Sequence, residues 1–277
     1  MVNFNGNLVS TEDTGLSFFN RGFSYGDAVF ETLKAVDGRV IFWEDHYFRL
    51  MASMRLLRMN IPLTYTPEYF SNEFKRLIQA QPSTSSTWRI RLTVFRNSTG
   101  FYTPLHNEVA FVLHCEPLTE ANYPKQKEKY VVDLFKDHYV QPALLSNLKT
   151  NNKILNVLGS IFAKENDLDN CILINDKKEV VEALQSNIFL LFDNELHTPP
   201  LSSGCLDGIV RKQLIRSSKE LGLEVKERGI TPFELQKANE IWLTSTIGGI
   251  QGVTNYRRKE YKVDKIKQAL ALLNTQL

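Results

Sequence analysis

Apolar residues recur along this chain with two different spacings, and the changes from one to the other mark out its elements. Residues 2–9 form two short apolar pieces about Asn5-Gly6, the dipeptide most characteristic of a tight hairpin. Residues 28–36 are strand-like, and Asp37-Gly38 turns them into a second strand over 39–42. The spacing then changes to that of a helix. Trp43, Tyr47, Leu50, Met51, Met54 and Leu57 fall on one face of a helix over 43–59, which Pro62 is expected to stop. A second helix over 66–80 opens with a threonine cap before Pro67 and Glu68. After a polar loop over 81–87, Arg89 and Arg91 alternate with Ile90 and Leu92 in a half-exposed strand over 88–95, with 109–115 as its partner.

The stretch 116–129 contains Pro117, Pro124 and several charges but little apolar content, so it reads as a linker. It divides the chain into a domain over 1–118 and another over 119–277. The second part alternates strands and helices: strand 130–135, helix 154–165, strands 171–175 and 187–192, helix 208–221, strand 223–227, helix 232–238, strand 240–245 and a last helix over 265–273.

Composition removes several functional classes. With 277 residues, 43% hydrophobic and 23% charged, the chain has ordinary globular composition. A formal net charge of +2 and the lack of a basic stripe interleaved with aromatics argue against nucleic acid. Three widely spaced cysteines without a CxxC pair, and five scattered histidines, give neither a disulfide frame nor a metal-ligand spacing. The N-terminus carries no apolar run of the secretory kind, and no 20-residue apolar span is present. No membrane association and a cytoplasmic location are therefore expected.

Five places hold candidate chemistry. Lys149 stands between a strand and a helix, among Leu144, Leu145, Leu148 and small polar residues; a desolvated amine there is suited to attack a carbonyl. Asp207 and Gly208 open an amphipathic helix whose first N–H groups can meet an anion. Residues 244–250 end a strand in hydroxyls and then glycines, a pattern suited to phosphate. Arg49, off the apolar stripe of its helix, and Glu182, between two strand-like pieces in apolar company, are charges that need partners if buried. Each also has a plain reading: a solvated lysine, an ordinary capped helix, a glycine turn, surface charges. Together they meet one demand, that of pyridoxal phosphate for a lysine, a carboxylate at the pyridine nitrogen and a phosphate cup.

The motifs Asn20-Arg21-Gly22-Phe23-Ser24-Tyr25-Gly26-Asp27-Ala28-Val29-Phe30-Glu31-Thr32, His46-Tyr47-Phe48-Arg49-Leu50, Leu148-Lys149-Thr150, 182–187 and 206–211 follow one another in order. On these the sequence resembles the class IV, fold-type IV pyridoxal-phosphate enzymes over about residues 4–253. That family includes branched-chain aminotransferase, D-amino acid aminotransferase and aminodeoxychorismate lyase. The resemblance implies a small α/β domain followed by a larger pseudo-barrel domain, and homodimers in which the partner's loop closes the active site. It further implies that Lys149 holds pyridoxal 5'-phosphate as a Schiff base and then shuttles a proton, and that Glu182 keeps the pyridine nitrogen protonated. Arg49, the N–H groups of Ile209 and Val210, and Thr246 would bind the phosphate. Leu206 would pack on the ring and Ser186 would support the Glu182 side. Phe30, Tyr102 and Ile247 are the expected substrate contacts by position.

Departures bear on the substrate. Val210 stands where the family often has threonine, and so keeps the N–H without a hydroxyl. Lys153 and Ile154 stand where branched-chain enzymes have an Asn-Tyr pair, and the arginine and histidine that follow in D-amino acid transaminases are absent after Arg96. Residues 100–104 look like a shortened form of the lyase loop. Two activities stay open: amino transfer between an amino acid and a 2-oxo acid, and release of pyruvate and 4-aminobenzoate from aminodeoxychorismate. A non-catalytic homologue is the third reading, and retention of Lys149 argues against it.

Overall fold

The computed structural model describes residues 1–13 and 15–277. It divides into two compact units, Met1–Ala121 with Lys149–Asn152 and Leu277, and Asn122–Leu148 with Lys153–Gln276. The four residues from Lys149 thus belong with the N-terminal part of the chain.

The first unit is built from β1 (Val2–Phe4), β2 (Asn7–Val9), α1 (Arg21–Ser24), β3 (Ala28–Val36), β4 (Arg39–Val40), α2 (Trp43–Leu56), α3 (Pro67–Gln79), β5 (Thr87–Arg96) and β6 (Val109–Pro117). Its six strands form one sheet in the order β2-β1-β6-β5-β3-β4, and every adjacent pair is antiparallel. Asn5 and Gly6 both take positive φ, as the turn between β1 and β2 requires. One face of the sheet is apolar. Val29, Leu33, Ile90, Leu92 and Phe111 pack there with Leu50 and Met54 of α2 and Phe70, Phe74 and Leu77 of α3. Strand alternation puts Glu31 on the same side as Val29 and Leu33, and puts Phe30 and Lys34 on the other.

Two boundaries differ from expectation. The hairpin after β3 stops at Val40, because Phe42 takes a left-handed conformation and caps α2. α2 ends at Leu56, well before Pro62. The guanidinium of Arg96 takes the carbonyls of Leu57 (2.7 Å) and Arg58 (3.3 Å), and Arg58 itself has φ +55°, so the chain leaves the helix there.

The second unit contains β7 (Val131–Val140), α4 (Ile154–Glu165), β8 (Asn170–Asn175), β9 (Val180–Ala183), β10 (Asn187–Phe192), β11 (Glu195–Thr198), α5 (Ile209–Ser217), β12 (Glu224–Glu227), α6 (Pro232–Leu235), β13 (Glu240–Ser245), β14 (Gly249–Gly252), β15 (Asn255–Tyr256), β16 (Lys259–Glu260) and α7 (Lys265–Asn274). They make two five-stranded sheets, β12-β11-β10-β13-β14 and β16-β15-β7-β8-β9. Residues from both sheets, including Val132, Ile172, Ile188, Leu190, Ile241 and Leu243, share one core. Glu240 is buried and accepts from Trp242 Nε1 and from the backbone N–H groups of Asp264, Lys265 and Ile266, closing the start of α7.

Here too the sequence reading needs correction. Residue 182 lies inside β9, opposite Leu173, and not between strands. Strand β11 was not expected; the left-handed Asp193 lets the chain fold straight back onto β10. The helix expected over 208–221 is α5 followed by a short 3-10 turn, Ser218–Leu221. Much of the apolar surface of α4 faces outward: Ile154, Val157, Leu158 and Ile161 are exposed. The helix packs through Leu155 and Phe162 of that stripe, together with its small residues Gly159 and Ala163. A Cβ at Gly159 would lie 2.4 Å from Leu184 Cδ2, so a larger residue there would have to displace that side chain.

Among the described residues, no helix is long and apolar enough to cross a membrane. No group of three or more His, Cys, Asp or Glu residues among them is placed to hold a metal ion.

Candidate active site

Lys149 is held by pairing with the start of β3. The Phe30 N–H donates to the Lys149 carbonyl (2.8 Å), Val29 bridges to Thr150, and the Asn151 N–H donates to the Ala28 carbonyl (3.0 Å). The lysine is half-buried, and its Nζ lies 4.6 Å from the centroid of the Phe30 ring. Its expected role needs a fixed backbone and a mobile amine, and a short paired segment supplies the first. Asn152 closes the segment by donating to the Gly26 carbonyl (3.2 Å). Gly26 has φ +64°, and a Cβ there would meet the Asn152 amide at 2.5 Å, so this turn needs glycine.

Arg49 is buried, not solvated as its position off the apolar stripe suggested. Its Nε donates to Glu31 Oε1 (2.8 Å) and its Nη2 to Oε2 (2.5 Å), a forked pair. The same Oε2 lies 2.7 Å from His46 Nδ1. Burial alone would push the Glu31 carboxyl up, but Arg49 and His46 beside it outweigh that and hold it down at about 2. Burial lowers the His46 pKa, with Arg49 and Lys149 adding to the effect against the pull of Glu31. The imidazole is therefore neutral at pH 7 and donates through Nδ1. Its Nε2 is buried without a hydrogen-bond partner. Glu31 and His46 were not singled out in the sequence. Their signal was the spacing of Glu31 on the helix-facing side of β3.

In the second unit, Glu182 is half-buried on β9, and its Oε2 accepts from the Leu206 N–H (2.9 Å). Two of the expected site residues, Glu182 and Leu206, are thus in contact. Ser186 is half-buried in the turn after β9, where its carbonyl accepts from the Ala183 N–H (2.8 Å). Asn187 donates through Nδ2 to the Leu206 carbonyl (2.8 Å), tying that turn to the start of α5.

The cap of α5 is Gly208, not the expected Asp207, and no side chain caps the helix. The first-turn N–H groups, those of Ile209 and Val210 among them, therefore lack the side-chain acceptor that helix starts usually have. A Cβ at Gly208 would fall 1.8 Å from Asn187 Oδ1, so the approach to this turn depends on glycine. Thr244, paired in register with Asn187, has a buried hydroxyl without a partner. An uncapped helix start beside an orphaned buried hydroxyl fits a phosphate group, and hence the phosphate end of pyridoxal phosphate. Thr246 and Ile247 are half-buried in the turn that follows.

Of the expected substrate contacts, Phe30 is buried under Lys149, whereas Tyr102 is 89% exposed. One residue that the sequence reading passed over stands beside Phe30. The guanidinium of Arg91 lies 3.7 Å from the centroid of that ring and makes long contacts to Thr93 Oγ1 (3.3 Å) and Asn151 Oδ1 (3.4 Å). Burial lowers its pKa, and Arg89 adds to the effect. The alternation of Arg89 and Arg91 with Ile90 and Leu92 had marked it as a surface charge.

Known proteins resemble this chain along most of its length. The signature of the family described as amino-transferase class IV matches residues 28–256. The D-alanine aminotransferase of Listeria monocytogenes is 27% identical over 261 residues, covering 91% of this chain and 86% of that protein. The aminodeoxychorismate lyase of Bacillus subtilis is 25% identical over 263 residues, covering 94% and 88%. Among solved structures, the T.th. branched-chain amino acid aminotransferase with pyridoxamine 5'-phosphate superposes with a TM-score of 0.86 at 21% identity, covering 99% of this chain and 92% of that one. That likeness shows the fold.

Proposed function

The chain belongs to the class IV aminotransferase family, and we propose that it is a pyridoxal-phosphate enzyme that moves an amino group between an amino acid and a 2-oxo acid, with Lys149 as the amine that carries the cofactor. When bound, the cofactor supplies an aldehyde carbon that condenses with amines and a ring that accepts the electron pair of a deprotonated α-carbon. Lys149 Nζ takes the proton from the substrate α-carbon and delivers it again on the way to product. Glu182 holds a proton at the ring nitrogen, and the Leu206 N–H fixes the direction of its carboxylate. The N–H groups of Ile209 and Val210, with Thr246 and Arg49, bind the phosphate; Val210 contributes its N–H alone. Leu206 would pack on the ring, and Ser186 would support the turn beside Glu182.

The observation that carries this reading is the Phe30 ring. Lys149 Nζ and the Arg91 guanidinium both stand against it, at 4.6 and 3.7 Å from its centroid, so they are separated by at most the sum of those distances. A reacting amine and a carboxylate anchor a few bonds apart suit an amino acid or oxo acid that carries a second carboxylate. Replacement of Arg91 by leucine is expected to raise KM for 2-oxoglutarate by about 10- to 100-fold, the worth of one charged hydrogen bond. KM for pyruvate should stay within about twofold. Equal changes for the two acceptors, measured by steady-state kinetics, would remove Arg91 from this role.

The second reading, aminodeoxychorismate lyase, draws support from residues 100–104, Gly-Phe-Tyr-Thr-Pro. The two activities use the same Lys149 and Glu182. Supplying aminodeoxychorismate and measuring pyruvate, then supplying amino acids with 2-oxoglutarate, separates them: activity in only one assay eliminates the other.

The proposal includes a homodimer whose active site is completed by the partner chain. The exposed apolar stripe of α4 and the exposed Leu144 and Leu145 support a covered surface there. Light scattering is expected to give twice the chain mass, and Ile161→Glu is expected to shift the protein toward monomer; a monomeric wild-type protein would refute this. The three free cysteines support a cytoplasmic location.

A further inference from the structure

Arg21 is almost fully buried, yet it belongs to no core cluster. Its Nη1 donates to the carbonyls of Gly100 (2.9 Å) and Phe101, and its Nη2 to that of Tyr102 (3.2 Å). Its Nε donates to Asp27 Oδ2 (2.9 Å), and the same oxygen accepts from Arg96 Nε (2.8 Å). Arg96 spends its other donors on Leu57, Arg58 and Asn107. One carboxylate thus joins two buried guanidinium groups. One of them grips the loop over 98–105, and the other grips the end of α2. The stem of this device is α1 and its following turn, whose Gly26 carbonyl receives Asn152, three residues beyond Lys149.

The loop itself closes through Leu105 N–H to the Thr99 carbonyl (3.1 Å) and His106 N–H to Ser98 Oγ (3.1 Å). Gly100 takes φ +103°, where a Cβ would lie 2.5 Å from the Thr103 carbonyl. Its two aromatic tips are open to solvent, Phe101 by 84% and Tyr102 by 89%. Tyr25 backs Tyr102, with ring centroids 5.7 Å apart, and Tyr25 is itself stacked on the Arg21 guanidinium at 4.9 Å. A backbone pinned at three successive carbonyls beneath two exposed rings is a rigid presenting surface, and large rigid rings give contact at little entropic cost. Lysine cannot replace such a fork, since its donors radiate from a single point.

We propose that Arg21 is a positioning residue for substrate selection, setting the 98–105 loop so that Tyr102 stands where substrate meets it. This rests on the reading above, together with Tyr102 as the substrate contact that the resemblance implies. In Arg21→Lys, hydrogen exchange at the Leu105 and His106 amides should quicken at least about tenfold. KM for the reacting amino acid, drawn from L-leucine, L-glutamate and D-alanine with 2-oxoglutarate as acceptor, should rise about tenfold with kcat within about threefold. Cofactor affinity, read by absorbance titration, should stay within about twofold of wild type. Tyr102→Ala should reproduce the KM change alone and add less than about twofold to Arg21→Lys, because both act through one contact. Unchanged loop exchange, or unchanged KM despite faster exchange, would overturn the proposal. A kinetically silent Tyr102→Ala would also overturn it while leaving the enzyme's proposed chemistry intact. Wild-type protein that binds no cofactor would strike that chemistry first, and the proposal with it.

Discussion

Replacing Lys149 by alanine is expected to abolish turnover, with a loss of at least about a thousandfold, since on the proposed reading this one residue is both the amine that carries the cofactor and the base that moves the substrate proton. Cofactor binding should weaken without disappearing. The proposed phosphate cradle at the start of α5 and the Glu182 carboxylate lie on other elements and do not need the lysine. The fold should persist, because the pairing of this segment with β3 runs through backbone atoms, the Phe30 N–H and the Lys149 carbonyl. Steady-state turnover beside an absorbance titration of the variant checks both parts. Turnover within about tenfold of wild type would refute the assignment.

The second large effect concerns stability. Glu31→Gln removes the carboxylate from its forked pair with the buried Arg49 guanidinium, and breaking a buried pair in this way costs about 3–5 kcal/mol. The carboxyl ordinarily titrates near 4.5 and is held at about 2 in the folded chain, where Arg49 and His46 outweigh the effect of burial. A depressed folded pKa stabilises the native state above the unfolded value and loses that stabilisation as pH falls. The contribution, on the order of 3 kcal/mol, is therefore complete above about pH 4.5 and disappears as pH drops toward 2. Urea unfolding at pH 7 should separate wild type from the variant by that amount. Between pH 4.5 and 2 the two should converge. A difference below about 1 kcal/mol at pH 7, or one that does not shrink in acid, would contradict the role given to this pair.

Much of this was legible in the sequence because its signals are local. The limits of β3 and β10, and the N-terminal turn at Asn5-Gly6, depend on residues that adjoin one another. Lys149, Glu182 and the helix start at 209 were marked by short motifs. What escaped was fixed by register or by packing between distant segments. Arg49 reads as a surface charge on its own helix, and only the alternation of β3, 18 positions earlier, places Glu31 against it. Arg91 looks solvated until β5 pairs with β3 and brings it to Phe30. Arg21 and the 100–102 carbonyls lie some 80 positions apart, and no periodicity connects them. The stripe on α4 gives the right element but only part of the buried face, because Leu155 and Phe162 pack inward with Gly159 and Ala163 while Ile154, Val157, Leu158 and Ile161 stay exposed. Capping went the same way: Asp207 has the chemistry of a cap, but the backbone makes Gly208 the first boundary residue, and that leaves the helix start open to an anion.

The central claim is that one particular amine carries the cofactor. Borohydride reduction of the protein after incubation with pyridoxal phosphate, followed by peptide mass mapping, tests it most directly. The predicted result is a single phosphopyridoxyl adduct on Lys149 that inorganic phosphate suppresses by competition. An adduct on Lys153 or on surface lysines in its place, or no adduct at all, would contradict it.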